Sequence, residues 1–490
     1  MNCAVENLMT LEELLHSVAG KLIDGFNGDF IFTSVVTDSR AVVFGSLFIP
    51  LIGEKQNGHL YIEQAIQNGA KSVFISKTEY KSNYKKYDEL AAKYSGTAFI
   101  IVEHTLYALQ NAAMHYAAKF PSLIKIGITG SSGKTTTKEM IVSVLSRKYN
   151  VVSTGGNLNS ETGLPLSVFN IRKEHTAGVF EMGMNRENEI GEIAAVLKPE
   201  YAVITNIGTA HIGILGSREN IASEKRKIFD YIPKEGAAFI PADDDFSDFL
   251  SQNVRGDIVK YGENISEEIS GVRFVKDLGL DGTLFEIDGL SVHLSVPGIY
   301  NYRNALAAVS LAKNLGLSAE QIKDGLERFK RISGRMECLK LRLKTGCNIT
   351  LIKDCYNANP DSMQAAIDFC ASLKNTGRKI FVLGDMLELG EKSKVEHEKI
   401  GKSAAHQKPY RIIFAGAEMN NAYGAATSAG FTDTDYVDSA SEEAIKRIAE
   451  LICDFAADGS VVLLKASRGI ALERVIPLIS DKKTDGETDE

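Results

Sequence analysis

The residues of this chain best suited to chemistry lie in Thr129-Gly130-Ser131-Ser132-Gly133-Lys134-Thr135-Thr136. Ile124 to Thr129 alternates in apolar character and reads as a strand, and Lys134 opens a stretch with helical spacing. A strand, a glycine loop and Lys-Thr at a helix start make an anion cradle. Glycines let backbone amides turn inward, the helix N-terminus favours negative charge, and a lysine at position 134 can reach the β and γ oxygens of a nucleotide. Thr135 offers a hydroxyl suited to magnesium. Gly130, Ser131, Ser132, Gly133, Lys134, Thr135 and Thr136 are therefore the expected nucleotide-binding set. The strict pattern G-x-x-x-x-G-K-[ST] fails by one position, because Ile128 stands where its first glycine belongs, between Gly127 and Gly130. The plain alternative is a glycine-rich turn with a surface lysine.

Other side chains could act beside such a loop. Glu181 closes the apolar run Val179-Phe180, where a carboxylate either caps a helix or serves a phosphate-linked magnesium. His211 follows the run Ala202 to Ile207, on the side of a strand where ligand sites of α/β proteins gather. Lys225 belongs to the basic cluster Lys225-Arg226-Lys227, which on a helix ordinarily forms a solvated face. Asn301 and Asn304 are three apart and share a helical face, as a cap and a satisfied amide or as a nucleotide contact. Arg335 sits in a glycine-preceded turn, where a surface charge is the plain reading. Asp354, at a strand end before Tyr356, is a candidate ribose contact. Asn357-Ala358-Asn359-Pro360-Asp361 reads as a turn that starts a helix through Met363, Ala366, Ile367 and Cys370, and such a loop is also where ligand groups collect.

The elements that must position these groups fall into three blocks. Residues 1–110 carry a helical stretch at Leu11 to Val18, short strands at Ile31 to Val36, Ser46 to Pro50, Ser72 to Ile75 and Thr97 to Val102, and helical spacing at Ile62, Ala65 and Ile66. This is a small mixed α/β domain. Residues 111–333 alternate strands and helices around the glycine loop, which predicts a P-loop ATPase-type domain: a mostly parallel sheet with helices on both faces. Met140, Ile141, Val144, Leu145 and Tyr149 share a helical face there. Residues 334–480 repeat the alternation and predict a Rossmann-like α/β domain. The polar tail 481–490 has no apolar anchor and is expected to be disordered.

Length and composition fit this division, since 490 residues suggest about three domains at ~150 residues each. A net charge of -8 argues against non-specific nucleic-acid binding, while a few amides and one lysine still suffice for a phosphate. Six scattered cysteines without a C-x-x-C pair fit reduced thiols better than disulfides or zinc. With no basic-then-apolar leader and no apolar run of ~18 residues, a cytoplasmic, non-membrane protein is expected.

T-G-S-S-G-K-T-T resembles the ATP loop of the Mur ligase family, relatives of folylpolyglutamate synthetase, and the resemblance recurs in order along nearly the whole chain. Thr37-Asp38-Ser39-Arg40, Gly45-Ser46-Leu47-Phe48-Ile49-Pro50 and Asn57-Gly58-His59 are similar to the family's uridine-nucleotide domain. Asn157-Leu158-Asn159 with Gly163-Leu164-Pro165 matches the loop after the first central helix. Glu181-Met182-Gly183, Thr205-Asn206-Ile207 with His211, and Lys225 with Ile228 match its magnesium and carbamate region. Asn301, Asn304 and Gly334-Arg335-Met336-Glu337 match the hinge into the last domain. Tyr356 to Asp361 and Leu383-Gly384-Asp385-Met386-Leu387-Glu388-Leu389-Gly390 are similar to the branch that adds D-alanyl-D-alanine to a UDP-muramoyl tripeptide. Tyr300 departs from a frequent histidine, Asn57 from an aspartate, Ala466 from a glycine and Thr162 from a branched apolar residue.

The resemblance implies an ATP-dependent, ADP-forming amide ligase. An acceptor carboxylate would attack the γ-phosphate, giving an acyl phosphate that the incoming amine displaces. It implies catalytic roles for Lys134, Glu181, His211 and Lys225, with Thr135 and Glu181 at one magnesium ion. His211 and a carbamylated Lys225 would support a second ion. Asn301, Arg335 and Asp354 would join the nucleotide set, and Ser39, Arg40, Asn159, Asn357 and Asn359 would bind substrate. The expected partners are small molecules, UDP-muramoyl tripeptide and D-alanyl-D-alanine, with no nucleic acid and no membrane span, and the chain is expected to be a monomer. The rival readings are a sister ligase adding one amino acid, a folylpolyglutamate-type ligase, and, from another class, a P-loop nucleotide switch.

Overall fold

The strand Ile124–Thr129 lies in the interior of a six-stranded, wholly parallel sheet in the computed structural model, which describes residues 7–53 and 56–480. Across the sheet the strands run 257–261, 237–241, 201–204, 124–129, 177–181 and 151–153. The first strand in sequence therefore has later strands on both sides, which opens a crevice at the carboxyl edge beside it. The glycine loop leaves at that point. Helix Lys134–Leu145 buries Met140, Ile141, Val144 and Leu145, the face its spacing predicted. Tyr149 lies beyond that helix, and its hydroxyl donates to the Leu315 carbonyl at 3.2 Å.

Gly127 lets the layer over the sheet pack closely on the strand. A Cβ there would come within 3.1 Å of Ile228 and 3.2 Å of Met182, so both side-chain ends would have to shift by a few tenths of an ångström. Beyond strand 257–261, Val272–Asp277, Thr283–Ile287 and Leu290–Leu294 form an antiparallel three-stranded sheet that the sequence reading did not separate.

The N-terminal sheet has five strands, in the order 21–22, 98–102, 72–76, 46–48 and 34–36, antiparallel only in its first pair. Helix Leu11–Val18 has a complete capping box between Thr10 and Glu13. Helix Lys77–Lys93 went unread in the sequence because it buries little beyond Tyr87, Leu90 and Ala91 and shows a weak apolar stripe. Helix Thr105–Ala118 spans position 110 and packs on helices of both the first and the central block.

The C-terminal sheet has six strands, in the order 337–342, 348–354, 461–465, 379–384, 411–415 and 434–437, with only the first antiparallel. One continuous apolar cluster runs from Leu109 through Phe180 and Ile204 to Met363 and Phe414, so the three blocks share a core. The expected disorder of 481–490 falls outside the described residues, as does Cys3. The five described cysteines are free thiols. Among the described residues no helix is long and apolar enough to cross a membrane.

Candidate functional site

The glycine loop is pinned by the end of the neighbouring strand. The Ser131 amide donates to the Asn206 carbonyl at 3.0 Å and the Ser132 amide to Asn206 Oδ1 at 3.0 Å. Thr205 Oγ1 and Asn206 Nδ2 donate back to the Ser132 carbonyl at 2.6 and 3.0 Å. Gly130 has φ 154°, and a Cβ there would lie 1.8 Å from Thr205 Oγ1. Gly133 has φ 80° and faces Asn304, whose Oδ1 would be 2.5 Å from an added Cβ. Both glycines are thus demanded by close approach as well as by backbone conformation. As N-cap, Gly133 has no side chain to occupy the first amides of helix Lys134–Leu145. Those amides lack intrahelical partners, and Lys134, Thr135 and Thr136 line a cavity of about 350 Å³.

Glu181 ends strand Ala177–Glu181 almost fully buried. Its Oε1 accepts from Asn159 Nδ2 at 2.7 Å, and its Oε2 is buried without a hydrogen-bond partner. The Glu181 amide donates to Thr154 Oγ1 at 3.0 Å, and buried Lys138 donates to the Thr154 carbonyl at 2.7 Å. Glu181 caps no helix, so that plain reading fails. Asn159, expected at the substrate, donates its side-chain amide to this carboxylate.

Lys225 lies on helix Arg218–Arg226 with no exposed surface, and its Nζ has no hydrogen-bond partner. The basic cluster therefore divides. Lys227 pairs with Glu224 at 2.6 Å, Arg226 donates to the Gln252 carbonyl, and Lys225 alone turns inward. Burial drives the Lys225 pKa well below the ordinary lysine value, Lys134 adds repulsion, and Glu224 opposes both. Lys134 donates to the Gly130 carbonyl at 2.9 Å. Its pKa is also lowered by burial, against the pull of Glu181, with Arg335 adding repulsion.

His211 opens the short helix Ile212–Leu215 at φ 66°. Its Nδ1 is 3.3 Å from Glu388 Oε2, within ion-pair range but outside hydrogen-bond alignment. Burial lowers its pKa, Glu388 opposes that, and Lys225 and Lys134 are close enough to lower it further.

The cavity's other wall comes from the C-terminal block, whose strand ends face those of the central sheet. Arg335 Nη2 donates to Thr135 Oγ1 at 3.1 Å, and its guanidinium lies 4.3 Å over the Tyr356 ring. Asn359 caps helix Pro360–Ser372 and donates to Ser132 Oγ at 3.1 Å. Asp361 Oδ2 accepts from the Thr209 amide at 2.6 Å and hydroxyl at 2.8 Å. Asp354 pairs with buried Lys465 at 2.8 Å, and Lys465 also donates to the Asn357 carbonyl at 2.7 Å. Asn301 is buried and donates to the Pro297 carbonyl at 2.7 Å, while Asn304 donates to Asn301 Oδ1 at 3.2 Å. The Tyr300 hydroxyl is buried and unpartnered at the cavity wall.

Ser39 and Arg40 stand apart from this cavity. Buried Ser39 donates to Gln64 Oε1 at 2.9 Å, and exposed Arg40 pairs with its neighbour Asp38 at 2.7 Å. Lys138 and Lys465 have no role in the sequence analysis, which places Thr205 and Asn206 in a family motif and Asn304 on one helical face with Asn301. The hints to these two lysines are a place on the helix after the loop and at a strand end.

The groups present suit a magnesium nucleotide. Glu181 Oε2 and Lys225 Nζ are buried and unpartnered, and each such group costs stability unless something binds it. No group of three or more His, Cys, Asp or Glu among the described residues forms a ready-made metal cage. Magnesium bound with a nucleotide takes only one or two protein ligands beside phosphate oxygens.

A glycine loop at the switch point of one parallel sheet, closed by the strand ends of a second α/β block, defines a nucleotide-binding protein whose site lies between blocks. The Mur ligase middle domain pattern matches residues 128–312, the Mur ligase glutamate ligase domain 334–468, and the Mur ligase family catalytic domain 32–117. The chain is 40% identical over 481 residues to the UDP-N-acetylmuramoyl-tripeptide–D-alanyl-D-alanine ligase of Treponema pallidum, covering 97% of this chain and all of that protein. It is 34% identical to the ligase of the same name from Bacillus subtilis, over 95% of this chain and 97% of that one. Among solved structures, MurF from Acinetobacter baumannii superposes with a TM-score of 0.83 at 29% identity, over 96% of this chain and 99% of that one. MurF ligase from Thermotoga maritima in complex with ADP gives 0.74 at 26% identity, over 93% and 98%. The chain belongs to the Mur ligase family.

Proposed function

We propose that the chain is an ATP-dependent, ADP-forming ligase that joins D-alanyl-D-alanine to UDP-N-acetylmuramoyl-tripeptide, giving the pentapeptide precursor of peptidoglycan. The observation that carries the chemistry is the set of buried, unpartnered groups, Glu181 Oε2 and Lys225 Nζ, around a glycine loop that the C-terminal block touches through Arg335 and Asn359. The substrates rest on the full-length likeness to ligases of that name. Residues 1–110 would take the acceptor, 111–333 ATP, and 334–480 the amine, with Ser39 and Arg40 toward the uridine nucleotide.

The acceptor carboxylate would take the γ-phosphoryl group, and the dipeptide amine would then displace phosphate. Carboxylate, triphosphate and ADP are all anionic, so the site must neutralise them. Lys134 and Arg335 would do so from the protein. Magnesium, held by Thr135, Glu181, His211 and Lys225, would supply further positive charge when bound. A neutral Lys225 amine can add carbon dioxide through a new N–C bond and release a proton to solvent. That would give a carbamate with oxygen ligands, and burial favours the neutral amine. Asn301 and Asp354 would face the nucleoside, Asn159 would orient Glu181, and Asn357 and Asn359 would shape the loop nearest the reacting groups.

Mass spectrometry of a reaction with UDP-N-acetylmuramoyl-tripeptide, ATP and D-alanyl-D-alanine should show the ligated product with matching ADP and phosphate. Product with a single amino acid in place of the dipeptide would indicate a sister activity. Phosphate release independent of any acceptor would indicate a nucleotide switch.

A further inference from the structure

The segment Gly384-Asp385-Met386-Leu387-Glu388-Leu389-Gly390 helped place the chain within its family, yet nothing above gives it a task. Its backbone is held at successive residues. The Asp385 amide donates to the Ala415 carbonyl at 3.2 Å, Met386 to buried His397 Nε2 at 3.1 Å, and Leu387 to Ser467 Oγ at 3.0 Å. Asp385 Oδ1 accepts from the Met419 amide at 2.8 Å, and Met386 and Leu389 are buried on either side of Glu388. Glu388 itself has φ 66°, an uncommon conformation for a residue with a side chain. The loop is a rigid mount that presents one carboxylate.

That carboxylate faces the central block. The loop docks backbone to backbone on Gly213, where a Cβ would lie 2.5 Å from Leu389 C, 2.6 Å from Gly390 N and 2.8 Å from the Glu388 carbonyl. Lys392 fastens the same contact by donating to the Gly216 carbonyl at 2.6 Å. Glu388 Oε2 thereby stands 3.3 Å from His211 Nδ1, a ring nitrogen that is buried and has no hydrogen-bond partner.

We propose that Glu388 is a positioning residue for His211, an inference that rests on the role given to His211 above. Its carboxylate takes the hydrogen of Nδ1, fixes the ring, and leaves Nε2 as the free lone pair that meets the reaction centre. A histidine that serves as a ligand through one nitrogen is commonly oriented in this way through the other. Because Glu388 belongs to the C-terminal block, His211 is set only when that block is docked. The family motif thus ties closure to the readiness of the phosphoryl-transfer site.

The test compares wild type with Glu388→Ala, Glu388→Gln and Glu391→Ala, the last removing an exposed charge from the same loop. Ring-15N histidine spectra are recorded with ADP, magnesium and UDP-N-acetylmuramoyl-tripeptide, and a His211→Asn variant identifies the signal. In wild type the His211 Nδ1 carries the hydrogen and Nε2 does not. In Glu388→Ala the two nitrogens approach each other in shift as tautomers mix. The kcat falls by about 10–100-fold, the range for a lost orienting partner, while KM for ATP moves by less than about twofold. Glu388→Gln, which keeps an acceptor oxygen, lies between, and Glu391→Ala matches wild type. Identical His211 spectra in wild type and Glu388→Ala would overturn the proposal, as would an unchanged kcat. The spectra need no turnover, so a wild type that forms no product sinks the ligase reading alone.

Discussion

Lys225 carries a cost that only function explains. A buried group without a partner destabilises by roughly 1–3 kcal/mol, and nothing in the fold offsets it at Lys225 Nζ. Lys225→Met keeps the volume and removes the polar head, so the variant should be at least as stable as wild type. A gain of about 1 kcal/mol would raise Tm by roughly 1–2 °C in a chain of this size. Activity should fall at least about a hundredfold, as for loss of one preorganised charged group. Short carboxylates should partly restore turnover in Lys225→Ala, and near-normal turnover of that variant without them would remove the carbamate from consideration.

The same residue predicts a pH dependence. Its folded pKa lies well below the ordinary 10.5, so the unfolded chain binds the extra proton and wild-type stability rises with pH up to the ordinary lysine range. The stability advantage of Lys225→Met should therefore shrink as pH rises toward 10.5. Urea unfolding in carbon-dioxide-free buffer reads this directly, and parallel stability curves would contradict it.

At the scale of elements, the loop works because two glycines let it touch its neighbours. Gly130→Ala places a Cβ 1.8 Å from Thr205 Oγ1 at a backbone φ of 154°. It should weaken binding of a fluorescent ATP analogue by at least about tenfold, or 1.4 kcal/mol, while far-UV circular dichroism stays unchanged. Tight binding by this variant would mean that the loop conformation is not what holds phosphate. Strand Ile124–Thr129 and the helix after it were legible in sequence because apolar period and glycine placement agree there. Helix Lys77–Lys93 and strand Val272–Asp277 were not, because they are largely exposed and carry little periodic signal. Thr283–Ile287 and Leu290–Leu294, by contrast, do alternate and bury Phe285, Ile287, Val292 and Leu294.

For the molecule as a whole, the decisive contacts join blocks. Arg335 on Thr135, Asn359 on Ser132, Asp361 on Thr209 and Glu388 near His211 all cross from the C-terminal block to the central one. Closure with ATP and acceptor is the expected motion. Gly213→Ala puts a Cβ 2.5 Å from Leu389 C and should hold the blocks apart. Small-angle scattering with a non-hydrolysable ATP analogue and acceptor should then show a larger radius of gyration than wild type. Turnover should drop about a hundredfold, the scale for reacting groups misplaced by an ångström. An unchanged radius and rate would show the docking at Gly213 to be dispensable.

Residue order alone was enough for the nucleotide loop, the α/β character of each block and the family, since these depend on local periodicity, glycine placement and contiguous motifs. Without the family resemblance it could not tell Lys225 from its neighbours Arg226 and Lys227, and even with it could not tell that Asn159 would grip Glu181 or that Glu388 would face His211. Those pairings join residues 22 to 177 positions apart in the chain. Burial and partner choice are properties of packed surfaces, and only the folded chain, with its facing sheet ends, creates them.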